Sequence, residues 1–72
     1  MGRQHGNVVW FSDAMGFGFI KRESDPDVFF HRGALQVKDT ERVDDGEEVE
    51  FDTTGPLGLQ AENVTLMRNS GN

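Results

Sequence analysis

The chain has no cysteine and no tyrosine, and only two prolines and one tryptophan among 72 residues. Without cysteine there is no disulfide staple and no thiolate zinc site, a pattern that fits a reducing cytoplasm. No apolar run approaches the roughly 18 residues of a membrane span. The opening Met-Gly-Arg-Gln-His-Gly lacks the basic-then-apolar order of a signal peptide, and Gly6 stands where a myristoylation motif wants Ser or Thr. The Asn63-Val64-Thr65 sequon is a chance match in an unsecreted chain. Basic residues are also scarce: seven against thirteen acidic, a net charge of -6. Taken whole, that balance repels phosphate.

The charge is uneven, however. Asp39 to Asp52 holds eight acids and one base, Arg42, a local sum of -7. The remainder holds six bases and five acids, a sum of +1. The acidic block is therefore separate from the ring-rich half, which is close to neutral.

Length permits one domain, near the lower limit at which a core sustains a fold. Turn formers recur at Ser12-Asp13, Ser24 to Asp27, Asp44 to Gly46 and Thr54 to Gly58. Between them lie short segments rich in β-branched and aromatic residues, predicting strands over 7–11, 16–22, 27–31, 47–53 and 62–67. Regular short strands with turns point to an all-β barrel or sandwich, and closure would remove exposed edges. Residues 32–42 read as a loop with one tight helical turn near Ala34-Leu35. The ordered core is expected over about 6–67, with frayed ends at Met1 to Gln4 and Arg68 to Asn72.

Period-two alternation sorts the side chains. Val49 and Phe51 share one face of their strand and Glu48, Glu50 and Asp52 the other. Ile20 and Val28 belong inside, which leaves Phe17, Phe19, Phe29 and His31 facing water. Phe30 and Phe51 belong to the core. The first strand is open: strict alternation pairs Val8 with Trp10 and Val9 with Phe11, and a bulge would change that. Exposed rings on adjacent strands make a surface seldom left without a partner. Flat rings stack on any base, so the pattern points to single-stranded nucleic acid. Gly16 and Gly18 leave the rings uncrowded, while Arg32 and Lys21 are candidate phosphate contacts.

"GNVVWFSDAMGFGFIKRESDPDVFFHRGAL", followed by "DDGEEVEFD" and "QAENVTL", resembles the bacterial cold-shock domain family over about residues 6–67. "GFGFI" matches that family's first ribonucleoprotein motif and "DVFFH" its second. The resemblance implies a five-stranded antiparallel barrel of the oligonucleotide-binding type. It also implies single-stranded RNA or DNA as partner and a role as RNA chaperone or transcription antiterminator. By position, stacking falls on Trp10, Phe17, Phe19, Phe29 and His31, and a base-edge carboxylate on Asp27, with Phe11 bordering the surface. The chain departs from the family at Val9 and Met15, where lysine is usual, and at Arg32, where phenylalanine is frequent. It departs again at Thr40, which replaces a loop phenylalanine, and in an uncharged "TTGPLGLQ" loop. These changes remove phosphate contacts and keep the rings, so binding by stacking with a shallow salt dependence is expected. Arg32 is expected to restore one contact.

Other chemistry is set aside. The G-x-G-x-x-G pattern fails at Lys21, the acids of the 44–48 turn do not follow a calcium loop, and His5 and His31 alone make no zinc site. Catalysis, metals and cofactors are not expected, and the chain is read as a cytoplasmic monomer. The competing reading is a protein-interaction module using the same rings. Sugar binding on the barrel face is a more distant one.

Overall fold

A computed structural model describes residues 3–38 and 42–69. Thr40, Asp39 and the outermost residues of both ends, to which the sequence reading assigned roles, lie outside the described residues. The five strands are β1 (Gln4–Ser12), β2 (Phe17–Lys21), β3 (Val28–His31), β4 (Glu48–Thr54) and β5 (Gln60–Leu66). They close into a barrel in the order β1-β2-β3-β5-β4. Short 3-10 turns follow β3, β4 and β5, the first over Arg32–Ala34, where a tight helical turn was expected. No helix among the described residues is long and apolar enough to cross a membrane.

Each strand forms for the same reason. Alternate apolar residues cannot all be covered by a single small sheet, and closing the sheet on itself covers them. The core is Val8, Ile20, Val28, Phe30, Val49, Phe51, Ala61, Val64 and Leu66. The parity read from β2, β3 and β4 therefore holds: Ile20, Val28, Phe30, Val49 and Phe51 are fully buried.

Two features differ from the expectation. First, the barrel is antiparallel at four seams, while β3 and β5 run parallel, with Phe29 opposite Gln60 and Phe30 opposite Ala61. The reason is arithmetic: strand directions cannot alternate all the way round a ring of odd number. Second, β1 begins at Gln4. The Arg3 guanidinium reaches across β4 and β5, donating to the Thr65 hydroxyl at 3.0 Å, to the Glu50 carbonyl at 3.2 Å and to the Asn63 carbonyl. It also lies 3.6 Å from Asp52. These partners are far along the chain, so no local signal marks them.

The bulge in β1 settles its faces. The strand pairs with β4 from Gln4 to Asn7 and with β2 from Asn7 to Ser12, and its register slips between Val8 and Trp10. An extra residue where a strand changes partners increases its bend and turns the following side chains. Val8 points inward, Val9 and Trp10 outward, and Phe11 inward against the core.

Candidate nucleic-acid interface

Four rings converge on the outer face of β1, β2 and β3. Cross-strand pairing places Trp10 opposite Phe19, Phe19 opposite Phe29 and Phe17 opposite His31. Phe17 is the hub. Its centroid lies 5.6 Å from Trp10, 6.1 Å from Phe19 and 5.6 Å from Phe29, and Phe19 and Phe29 are 5.9 Å apart. Most of these contacts are edge-on, with interplanar angles of 65°, 85° and 70°, whereas Phe17 and Phe29 are tilted by 32°. Edge-to-face pairs set the negative face of one ring against the positive edge of another. The surface is consequently stepped rather than flat, with ring faces available between ring edges. Trp10 and Phe19 are each 38% exposed, while Phe17 and Phe29 are half-buried beneath their neighbours.

The glycines serve this surface from behind. A Cβ on Gly18 would stand 2.4 Å from the Trp10 carbonyl oxygen and 2.9 Å from a ring carbon of Phe30. Gly18 thus lets β1 and β2 close over the core, which fixes Trp10 beside Phe17. Gly16 has φ +83° and open space around it, so it is a turn residue.

His31 is exposed at the rim, and its Nδ1 accepts the Gly33 N–H at 3.2 Å. In the neutral ring that bond assigns the proton to Nε2, which is then the donor. Lys21 is exposed at the end of β2, opposite Asn7, and Asp27 is exposed just before β3. Phe11 is placed differently. Its ring stacks on Phe30 at 5.5 Å and 13° on the core side, so the structure separates it from the other rings.

Arg32 is already engaged. Its Nη2 donates to the Asp13 carbonyl at 2.8 Å and lies 3.1 Å from the Asp13 carboxylate, while its own N–H donates to the Gly16 carbonyl. Arg32, expected to supply a phosphate contact, is tied here to the β1–β2 turn through an exposed pair. The other arginines near the barrel are similarly held: Arg22 by the Pro26 carbonyl and Gln4, and Arg68 by Glu47 and the Arg42 carbonyl. The outer face of β4 carries Glu48, Glu50 and Asp52, with Glu50 2.9 Å from His5 Nε2. At the opposite border, the Leu59 carbonyl accepts the Phe29 N–H at 2.9 Å, bringing the β4–β5 loop to the platform edge. The sequence reading registered that loop as a turn without charge.

A model of the "'Cold-shock' DNA-binding domain" matches residues 4–67. The chain belongs to the cold-shock domain family. It is 48% identical over 61 residues to the cold shock-like protein CspA of Stigmatella aurantiaca, covering 82% of this chain and 90% of that one. To the cold shock protein CspC of Bacillus subtilis it is 45% identical over 62 residues, covering 85% and 94%. Among solved structures, the drosophila Unr CSD456 chain superposes with a TM-score of 0.75 at 25% identity, over 97% of this chain and 29% of that longer one. Within this cold-shock domain the ring surface lies on β1 to β3. Val9 and Met15 are exposed apolar side chains.

Proposed function

We propose that this cold-shock domain binds single-stranded RNA and DNA by stacking bases on Trp10, Phe17, Phe19 and Phe29, with His31 donating from the rim. The single observation that carries this reading is the ring cluster itself: four aromatic side chains in mutual contact on the outer surface of a barrel whose core is already complete. Rings not needed inside, in a small domain where apolar area is scarce, are placed for a partner.

Each stacked base contributes about 1–3 kcal/mol, close to the roughly 1.4 kcal/mol of one duplex stacking step. Trapping a few unpaired bases therefore offsets the loss of a few pairs, and weak RNA structure opens without any hydrolysed nucleotide. That supports action as an RNA chaperone, by binding and without catalysis, as a single copy in the cytoplasm. Asp27, exposed just before β3, and Lys21, exposed at the end of β2, are assigned to a base edge and a phosphate. Because Arg3, Arg22, Arg32 and Arg68 are held by the protein's own groups, few counterions are released on binding, and the salt slope is shallow.

Trp10 reports directly, since it is the only tryptophan and the chain has no tyrosine. Titration with short oligo-dT or oligo-U at low salt is expected to quench its emission strongly. No quenching at micromolar strand would refute the stacking reading and favour a protein partner for the rings.

A further inference from the structure

Between β2 and β3 the chain runs Arg22-Glu23-Ser24-Asp25-Pro26-Asp27. It ends at Val28, which is fully buried opposite Ile20, so one end of the loop is anchored in the core. The rest has little to hold it. Among the described residues no backbone–backbone hydrogen bond fixes 23–26, and residues 23–27 are all exposed. A carboxylate on such a loop meets a base edge well only if its backbone is fixed, because a hydrogen bond weakens steeply as its angle falls.

The tether comes from Arg22. Its Nε donates to the Pro26 carbonyl at 2.9 Å and its Nη1 to Gln4 Oε1 at 3.0 Å. Gln4 in turn donates from Nε2 to the Thr53 hydroxyl at 3.4 Å, so the guanidinium is backed by the wall of β1 and β4. The Pro26 carbonyl belongs to the planar peptide unit that also contains the Asp27 nitrogen and Cα. Holding that oxygen fixes the plane from which Asp27 departs, and the proline ring fixes its own φ. With Val28 buried on the other side, both neighbours of Asp27 are pinned.

Both acceptors bound by Arg22 are uncharged, and it makes no ion pair among the described residues. The Asp27 carboxylate likewise has no hydrogen bond or ion pair among them, unlike that of Asp13, which Arg32 occupies. We infer that Arg22 is a positioning residue: its two-ended tether from Gln4 to the Pro26 carbonyl holds the unpaired Asp27 carboxylate where it accepts an N–H from the edge of a stacked base. The inference deepens the stacking reading above and rests on it. The ligand it implies is a single strand whose bases present an edge N–H, as thymine and uracil do at N3.

The test is a double-mutant cycle read from Trp10 quenching by oligo-dT, with Tm measured alongside. Asp27→Ala is expected to weaken binding about tenfold, the loss of one hydrogen bond to a charged group. Arg22→Met, which keeps an apolar stem and removes every donor, is expected to weaken it comparably with Tm within a few degrees of the wild type. The double variant is expected to bind no more weakly than Asp27→Ala alone, since both changes remove one contact. Arg22→Lys keeps the charge but loses the planar fork, and is expected to resemble Arg22→Met. Losses that multiply in the double variant, or wild-type binding by Arg22→Lys, would overturn the positioning role, since Arg22 would then act through its charge. Wild-type binding by Asp27→Ala would overturn it too, with the platform left intact. Failure of oligo-dT to bind the wild type would overturn the platform, and the positioning role with it.

Discussion

The Asp13–Arg32 pair offers a quantitative handle on how this domain meets phosphate. Arg32 follows His31 at the rim, yet its guanidinium is bonded to the Asp13 carbonyl at 2.8 Å and carboxylate at 3.1 Å. Both side chains are well exposed, at 55% and 81%, so the pair itself is worth at most about 1 kcal/mol to stability. Replacing Asp13 with asparagine keeps the backbone carbonyl and the turn but removes the competing charge. The freed guanidinium then neutralises one phosphate, which steepens the slope of log K against log salt by about 0.7. The assay is the Trp10 titration with oligo-dT at a series of sodium chloride concentrations. Expected for Asp13→Asn are a steeper slope, tighter binding at low salt and a Tm within a few degrees of the wild type. Adding Arg32→Gln should return the slope to its starting value. The reasoning is refuted if Asp13→Asn leaves the slope unchanged, or if its gain survives in the double variant, since Arg32 would then not be the cation released.

Three further outcomes follow from the packing. Phe29→Ala is expected to weaken oligo-dT binding by about 1–3 kcal/mol in the same titration, with a far smaller effect on denaturant unfolding than a core truncation. Phe30→Ala, which removes a fully buried ring stacked on Phe11, is expected to cost about 3–5 kcal/mol and leave much of a small domain unfolded by circular dichroism. Gly18→Ala should lower the unfolding midpoint by an amount corresponding to about 1–3 kcal/mol and shift Trp10 emission, because its Cβ forces β1 away from β2.

What the sequence made legible was whatever depends on near neighbours along a strand. In β2, β3 and β4 one face is buried and alternation is strict, so Ile20, Val28, Phe30, Val49 and Phe51 could be assigned before any geometry was known. Trp10 could not, because Val-Val-Trp-Phe has no polar residue to mark a face and the bulge is imposed by a change of partner strand. Phe11 went the same way: it sits beside Trp10 in the chain but on the opposite side of the strand. Arg32 was legible as a cation and not as an occupied one, since Asp13 is 19 residues distant. Arg3 seemed part of a frayed end for the same reason; its partners come from β4 and β5. Gly16 and Gly18 were rightly tied to the ring surface, but their work is a turn and a close approach of backbones, both visible only with coordinates.

The parallel seam carries a consequence for how the domain responds to its ligand. β3 and β5 meet through two residue pairs, and one of them holds Phe29. This is the shortest pairing in the ring of strands, and it joins segments remote in the chain, so it is a natural place for transient opening. A single strand lying from Phe19 across Phe29 toward the loop before β5 spans that gap from outside, as a bandage spans a cut. Occupancy would then slow amide hydrogen exchange at Phe29 and Ala61 more than at the β1–β4 junction, which lies off that path.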